Sequence, residues 1–131
     1  MEDLRRYVAS DPSNPRFQAF ATLDGDELTL LIRTKLPNGQ RSAMLHGAEQ
    51  FKKILVHFAG RFTSIRGSWS YDDNLEAFNR AVLTGDAPEL AALKTWTGRQ
   101  CAAAGYKRVI IRSLEGQPGN YTKVVASFLR P

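Results

Sequence analysis

Five side chains in this sequence could work on a phosphodiester without a metal: His46, His57, Arg66, Tyr121 and Lys123. Cleavage of RNA needs a base to take the ribose 2′-hydroxyl proton, an acid for the leaving oxygen, and cations for the charge that builds on the phosphoryl oxygens. Histidine, tyrosine, lysine and arginine meet those needs. Arg66 stands beside Gly67, a residue that admits close approach of a ligand. His46 precedes Gly47 at a helix entrance, where a phosphate could also bind; the competing reading is a loop histidine with local hydrogen bonds. His57 falls at the edge of an apolar helical stripe, which reads more readily as a half-buried histidine. Tyr121 and Lys123 open the last strand next to a glycine turn. There a face of Tyr121, Lys123 and Ser127 opposite an apolar face suits a catalytic or RNA-facing sheet, and equally any solvated strand. The candidate catalytic set is Arg66, His46, Tyr121 and Lys123.

Other chemistries find fewer residues. The sequence holds no Walker loop, no Gly-x-Ser-x-Gly elbow and no zinc-deaminase signature. One cysteine and two distant histidines leave a zinc site in need of carboxylates. Asp72 and Asp73 are adjacent, but Asp73 is expected to cap a helix. No metal and no cofactor is therefore assigned. Cys101 sits among alanines and reads as a small core residue. Trp69 reads as a core or sheet-end anchor. Asn74 and Asn79 are expected to bond helix ends.

The whole chain bounds these readings. At 131 residues it is long enough to bury a core. A net charge of +5 favours polyanionic partners such as RNA, with solubility as the plainer explanation. No apolar run approaches a membrane span of roughly 20 residues. The opening Met1-Glu2-Asp3-Leu4-Arg5-Arg6 lacks the apolar core of a secretion signal, and a single cysteine fits a reducing, cytoplasmic setting.

The elements that must position the candidates follow from periodicity. Residues 1–16, with Pro12 and Pro15, are expected as a flexible arm in which Leu4, Tyr7 and Val8 make one helical turn. Residues 17–131 are expected as a single domain. Alternation predicts strands at 17–23 and 27–36 around an Asp24-Gly25 turn, and a third at 40–45 after Pro37-Asn38-Gly39. Phe51, Ile54, Leu55 and Phe58 at helical spacing predict a helix over 48–59. A strand over 61–69 follows. Three helices come next, with capping pairs Asp73/Glu76, Asp86/Glu89 and Thr97/Gln100, and with Gly85 and Gly105 as stops. Strands at 107–113 and 121–129 close the chain. The predicted order is β-β-(β)-α-β-α-α-α-β-β, an α+β fold with a mostly antiparallel sheet.

Across the last two thirds of the chain a wider pattern can be traced. It comprises Ile65-x-Gly67-x-Trp69, Asp73-Asn74-Leu75-x-x-Phe78-Asn79, Thr95-Trp96-Thr97-Gly98-Arg99, Ala104-Gly105-Tyr106, and Pro118-Gly119-Asn120-Tyr121-Thr122-Lys123-Val124 running to Phe128. This resembles the C-terminal toxin domains of bacterial polymorphic toxins of the Rhs and contact-dependent type. The resemblance implies an antibacterial effector that acts in the cytoplasm of a target cell and is neutralised by a cognate immunity protein. Joined to the basic charge, it leads to an expectation of metal-independent RNA cleavage. A second resemblance lies in the element order and in Ala104-Gly105-Tyr106-Lys107-Arg108-Val109, which is similar to the late helix–strand junction of acyl-CoA-dependent N-acetyltransferases. Where that family places a glycine-rich phosphate loop, this chain has Gln40-Arg41-Ser42-Ala43-Met44-Leu45-His46-Gly47. This second resemblance implies, as an alternative, an acetyltransferase-like enzyme using a nucleotide or acyl-CoA cofactor; a non-catalytic module binding nucleic acid or protein is the third reading.

Overall fold

A computed structural model describes residues 4–131. The chain divides into two compact units, Met1–Phe62 and Thr63–Pro131. Among the described residues six strands and four helices follow one another as β-β-β-α-β-α-α-α-β-β. The pairings within each unit are antiparallel, which makes this the expected α+β fold.

The first unit contains β1 (Arg6–Ser10), β2 (Gln18–Asp24), β3 (Glu27–Arg33) and α1 (Gly47–His57). Alternation places Ala19, Ala21, Leu28, Leu30 and Ile32 on one face of the sheet. Ile54 of α1 and Phe58, which follows the helix, pack on that face and are fully buried with Ala21 and Leu28. Leu31 points the other way and stays 43% exposed. Two expectations fail here. Leu4, Tyr7 and Val8 make no helical turn, because 6–10 pairs with β2 from Arg6↔Thr22 to Ser10↔Gln18. The first three residues of the expected arm lie outside the described residues. Residues 40–45 form no strand either, only an isolated Lys35↔Arg41 bridge. Ser42 is occupied instead with Asp11, whose carboxylate accepts from Ser42 Oγ at 2.7 Å, Ser13 N at 2.9 Å and Ser13 Oγ at 2.6 Å. Ser42 Oγ in turn accepts from Leu45 N at 2.9 Å. This buried latch ties the proline-containing loop to the segment that leads into α1.

The second unit contains β4 (Ser64–Trp69), α2 (Asp73–Leu83), α3 (Pro88–Leu93), α4 (Trp96–Ala103), β5 (Arg108–Gln117) and β6 (Asn120–Leu129). The helix caps differ from those expected. Asp72, in an extended conformation, caps α2 by accepting from Leu75 N at 2.8 Å. Thr95 caps α4 by accepting from Gly98 N at 2.9 Å. No side chain caps α3, and Asp86 pairs with Lys94 instead. The expected stops Gly85 and Gly105 do follow α2 and α4, both at positive φ.

In the second unit β6 lies between β4 and β5. Ile65, Val124, Ala126 and Phe128 are fully buried on one face of this sheet, with Trp69 beside them at 2% exposure. The Trp69 ring lies 6.2 Å from Phe78 of α2 and 6.2 Å from Phe128, so the three mutually packed helices cover this face. Gly98 sets the spacing within that helical layer, since a Cβ there would fall 1.9 Å from the Ala92 carbonyl oxygen. Two asparagines lock α2 in place through paired hydrogen bonds. Asn79 donates to Tyr121 O at 3.0 Å and accepts from Tyr121 N at 2.8 Å. Asn74 donates to Thr97 Oγ1 at 3.0 Å and accepts from Thr97 N at 3.1 Å.

Candidate functional site

The register of β4, β6 and β5 decides which candidates meet. Arg66 stands directly across from Ser127, and Ser127 directly across from Ile110. Paired residues point to the same face of a sheet, so Arg66 and Ser127 share the face opposite the helices. Ser127 is fully buried there. Between Ile111 and Ser113 the ladder shifts by one residue, which leaves Arg112 as a bulge. Bulges re-aim side chains. Here the Arg112 Nε donates to Ser127 Oγ at 3.1 Å. The strands that carry Arg66 and Arg112 flank β6 and are about 10 Å apart, twice the interstrand spacing. A buried hydroxyl thus has one arginine on each neighbouring strand.

The same register extends the polar face. Ser68 and Ser113 lie on either side of Val125, and Lys123 opposes Glu115. Arg108 opposes Leu129 at the far end. Arg108, Arg112, Ser68 and Lys123 are exposed, and Arg66 is half-buried. From the Arg108 row to the Lys123 row is six residues of β6, roughly 20 Å. Four cations against one carboxylate make this a basic strip. Guanidinium groups match phosphate oxygens in a bidentate fork, and exposed lysine adds a point charge.

Of the four residues singled out from the sequence, the three in the second unit do not all share one face. Arg66 joins Ser127 and Arg112. Lys123 is on the same strip, four residues and about 13 Å along β6 from Ser127. Tyr121 leaves the strip: a second register shift, between Glu115 and Gly116, breaks the alternation before it. Its ring lies 5.8 Å from Phe78, on the helix side, and its backbone is held by Asn79. The expected face of Tyr121, Lys123 and Ser127 is therefore not formed. His46 belongs to the first unit, where it is the exposed residue preceding α1 and makes no side-chain capping bond.

Other sequence candidates acquire structural roles. Gly67 faces the helices, and a Cβ on it would come within 2.8 Å of Trp69 Nε1. The glycine makes room for the indole, not for a ligand. Cys101 is fully buried, and burial raises its thiol pKa, so it stays protonated as a packing residue. His57 is half-buried, edge-on to Tyr7 and Phe58. Among the described residues no three His, Cys, Asp or Glu side chains gather as metal ligands would. No helix of the described residues is long and apolar enough to cross a membrane.

No family model matches the chain, and neither does any curated protein or solved structure.

Arg112 is the functional candidate that sequence reading missed. It follows Val109-Ile110-Ile111 in a strand dominated by β-branched residues. A charged residue in such a run was the available signal. The bulge that aims it depends on pairing with β6 and has no local mark.

Proposed function

We propose that this chain is an RNA-acting domain of the antibacterial polymorphic-toxin kind, and that it holds the phosphate backbone on the face of β4, β6 and β5 that lies opposite α2, α3 and α4. The observation that carries the reading is the pair of arginines, Arg66 and Arg112, on either side of the buried Ser127. One phosphate seated over Ser127 would receive charge-assisted bonds from both sides, with Lys123 and Arg108 available to its neighbours. Metal-independent cleavage is the activity proposed for this surface. The 2′-hydroxyl loses its proton and attacks phosphorus, and the 5′-oxygen leaves with a proton. Guanidinium groups at that phosphate would stabilise the charge that accumulates on its other oxygens.

The test is binding and cleavage of RNA by the purified chain, with total cellular RNA as substrate. Affinity should fall steeply with salt, because each neutralised phosphate releases counterions. Arg112→Ala and Arg66→Lys should each weaken binding roughly tenfold, and removal of the Arg112 contact should reduce the salt slope by about one. Cleavage should persist in EDTA. Salt-independent binding, or binding unchanged in both variants, overturns the proposed surface. Binding without cleavage would make the chain a nucleic-acid-binding module and not a nuclease.

A further inference from the structure

The first unit carries a second surface that the RNA reading does not use. Strand β1 pairs only with β2 and forms an edge of its sheet. The Leu23 N–H donates to Arg5 O at 2.8 Å, so residues 5, 7 and 9 turn their backbone groups toward β2. Alternation then turns the N–H and C=O groups of Arg6, Val8 and Ser10 outward. Beside this edge, α1 and β1 enclose a groove of about 450 Å³ lined by Tyr7, Glu49, Lys52, Lys53, Val56 and His57. Its wall is largely apolar: Val56 is 76% exposed. The buried His57 Nε2 has no hydrogen-bond partner among the described residues. Glu49 is paired with Lys53 at 2.9 Å, which leaves the charge of Lys52 in excess.

We propose that this edge takes up an extended acidic segment of a partner protein as an added strand. Outward backbone groups provide the ladder, and every second side chain of the incoming strand enters the groove. An apolar residue opposite Tyr7 covers Val56 and the His57 ring, and an acidic residue two positions along on the same face meets Lys52. The residues between them point to the other face, where acidic side chains meet Arg6. Charge selects this occupant over a second copy of the chain. Two β1 edges pairing antiparallel about Val8 would set Arg6 of each copy opposite Ser10 of the other, which gives that arginine no carboxylate. An acidic strand supplies one. RNA would gain the cations and could accept from single N–H groups, but it cannot pair as a strand along the alternating N–H and C=O groups.

The experiment uses the full chain and a fluorescent peptide of about eight residues with Leu or Ile and Glu alternating among its groove-facing positions and Asp or Glu on the opposite face. Anisotropy should show saturable binding, and hydrogen exchange at Arg6 and Val8 should slow on addition of peptide. Val8→Pro removes one outward N–H at an edge position where proline is tolerated, and should weaken binding at least tenfold. Lys52→Glu, on the exposed face of α1, should weaken it by a similar factor while leaving Tm unchanged. A lysine-for-acid version of the peptide should not bind. Equal binding of that version, or peptide affinity unaffected by both variants, overturns the proposal. Concentration-dependent self-association abolished by Val8→Pro, without peptide binding, would assign the edge to a second copy and overturn it as well. So would RNA binding lost in Lys52→Glu but retained in Arg112→Ala. Arg112→Ala should leave peptide affinity intact, so this proposal and the RNA reading fail independently.

Discussion

Arg66 and Arg112 flank the same serine from different strands, and only one of them could be singled out from sequence. Arg66 stood out because it follows an apolar residue in a short strand and precedes a glycine. That glycine turns out to serve the core. Gly67→Ala would press a methyl group against the indole of Trp69, which is 2% exposed and held between Phe78 and Phe128. Overpacking of this kind costs about 1–3 kcal/mol. Tm should therefore fall and the tryptophan emission should shift, while RNA affinity per folded molecule is preserved. The opposite pattern, an unchanged Tm with lost RNA binding, would return Gly67 to the ligand site. The two asparagines were legible as hydrogen-bonding residues at helix ends, and Asn74 does bond the first turn of α4. That Asn79 clamps the start of β6 depends on a contact 42 residues distant in sequence, which no local pattern contains.

At the scale of elements, the helices were placed well and their caps were not. Asp72 and Asp73 are neighbours with the same chemistry, as are Thr95 and Thr97 with one residue between them. Which one caps is decided by the residue whose backbone is extended when the helix begins, and spacing alone does not record that. The strand expected at 40–45 fails for a related reason: Ser42 closes a latch on Asp11, and that long-range bond replaces a ladder. The packing of α3 on α4 yields a sharp prediction. Gly98→Ala places a Cβ 1.9 Å from a backbone oxygen, which no side-chain adjustment relieves. The helices must separate, at an expected cost of about 3 kcal/mol. For a chain of this size that is a fall in Tm of roughly 10 °C. Thermal unfolding followed by circular dichroism measures it, and a variant as stable as the parent would show that the α3–α4 contact is looser than described.

At the scale of the molecule, the basic charge and the acid response are separate matters. The charge governs partners and salt dependence. The acid response has two identifiable contributors: Asp11, whose carboxyl is held below its ordinary value of 3.8 by hydrogen bonds from Ser13 and Ser42, and Glu49, whose carboxyl is lowered by Lys53. A group with a lowered native pKa stabilises the fold above its unfolded pKa, and that contribution is lost as pH falls through the native value. Tm should thus be nearly flat near neutrality, with the Asp11 contribution disappearing below about pH 4. Asp11→Asn should lower Tm at pH 7 and flatten the decline at low pH. An unchanged acid limb in the variant would remove Asp11 from the acid response.

The sequence by itself determined the α+β class, the order of elements, most strand and helix positions, and the basic character. These follow from periodicity, turn residues and composition, which act over a few residues at a time. It also supplied Arg66 and Lys123 as cations of the candidate surface. The tertiary structure decided the rest. It set Ser127 between two arginines, turned Tyr121 away at a register shift, assigned Gly67 to Trp69, and made Arg6–Ser10 an edge strand in place of a helical turn. Each of those outcomes depends on which distant segments pair and in what register, and a single slipped residue reverses the face of every side chain beyond it.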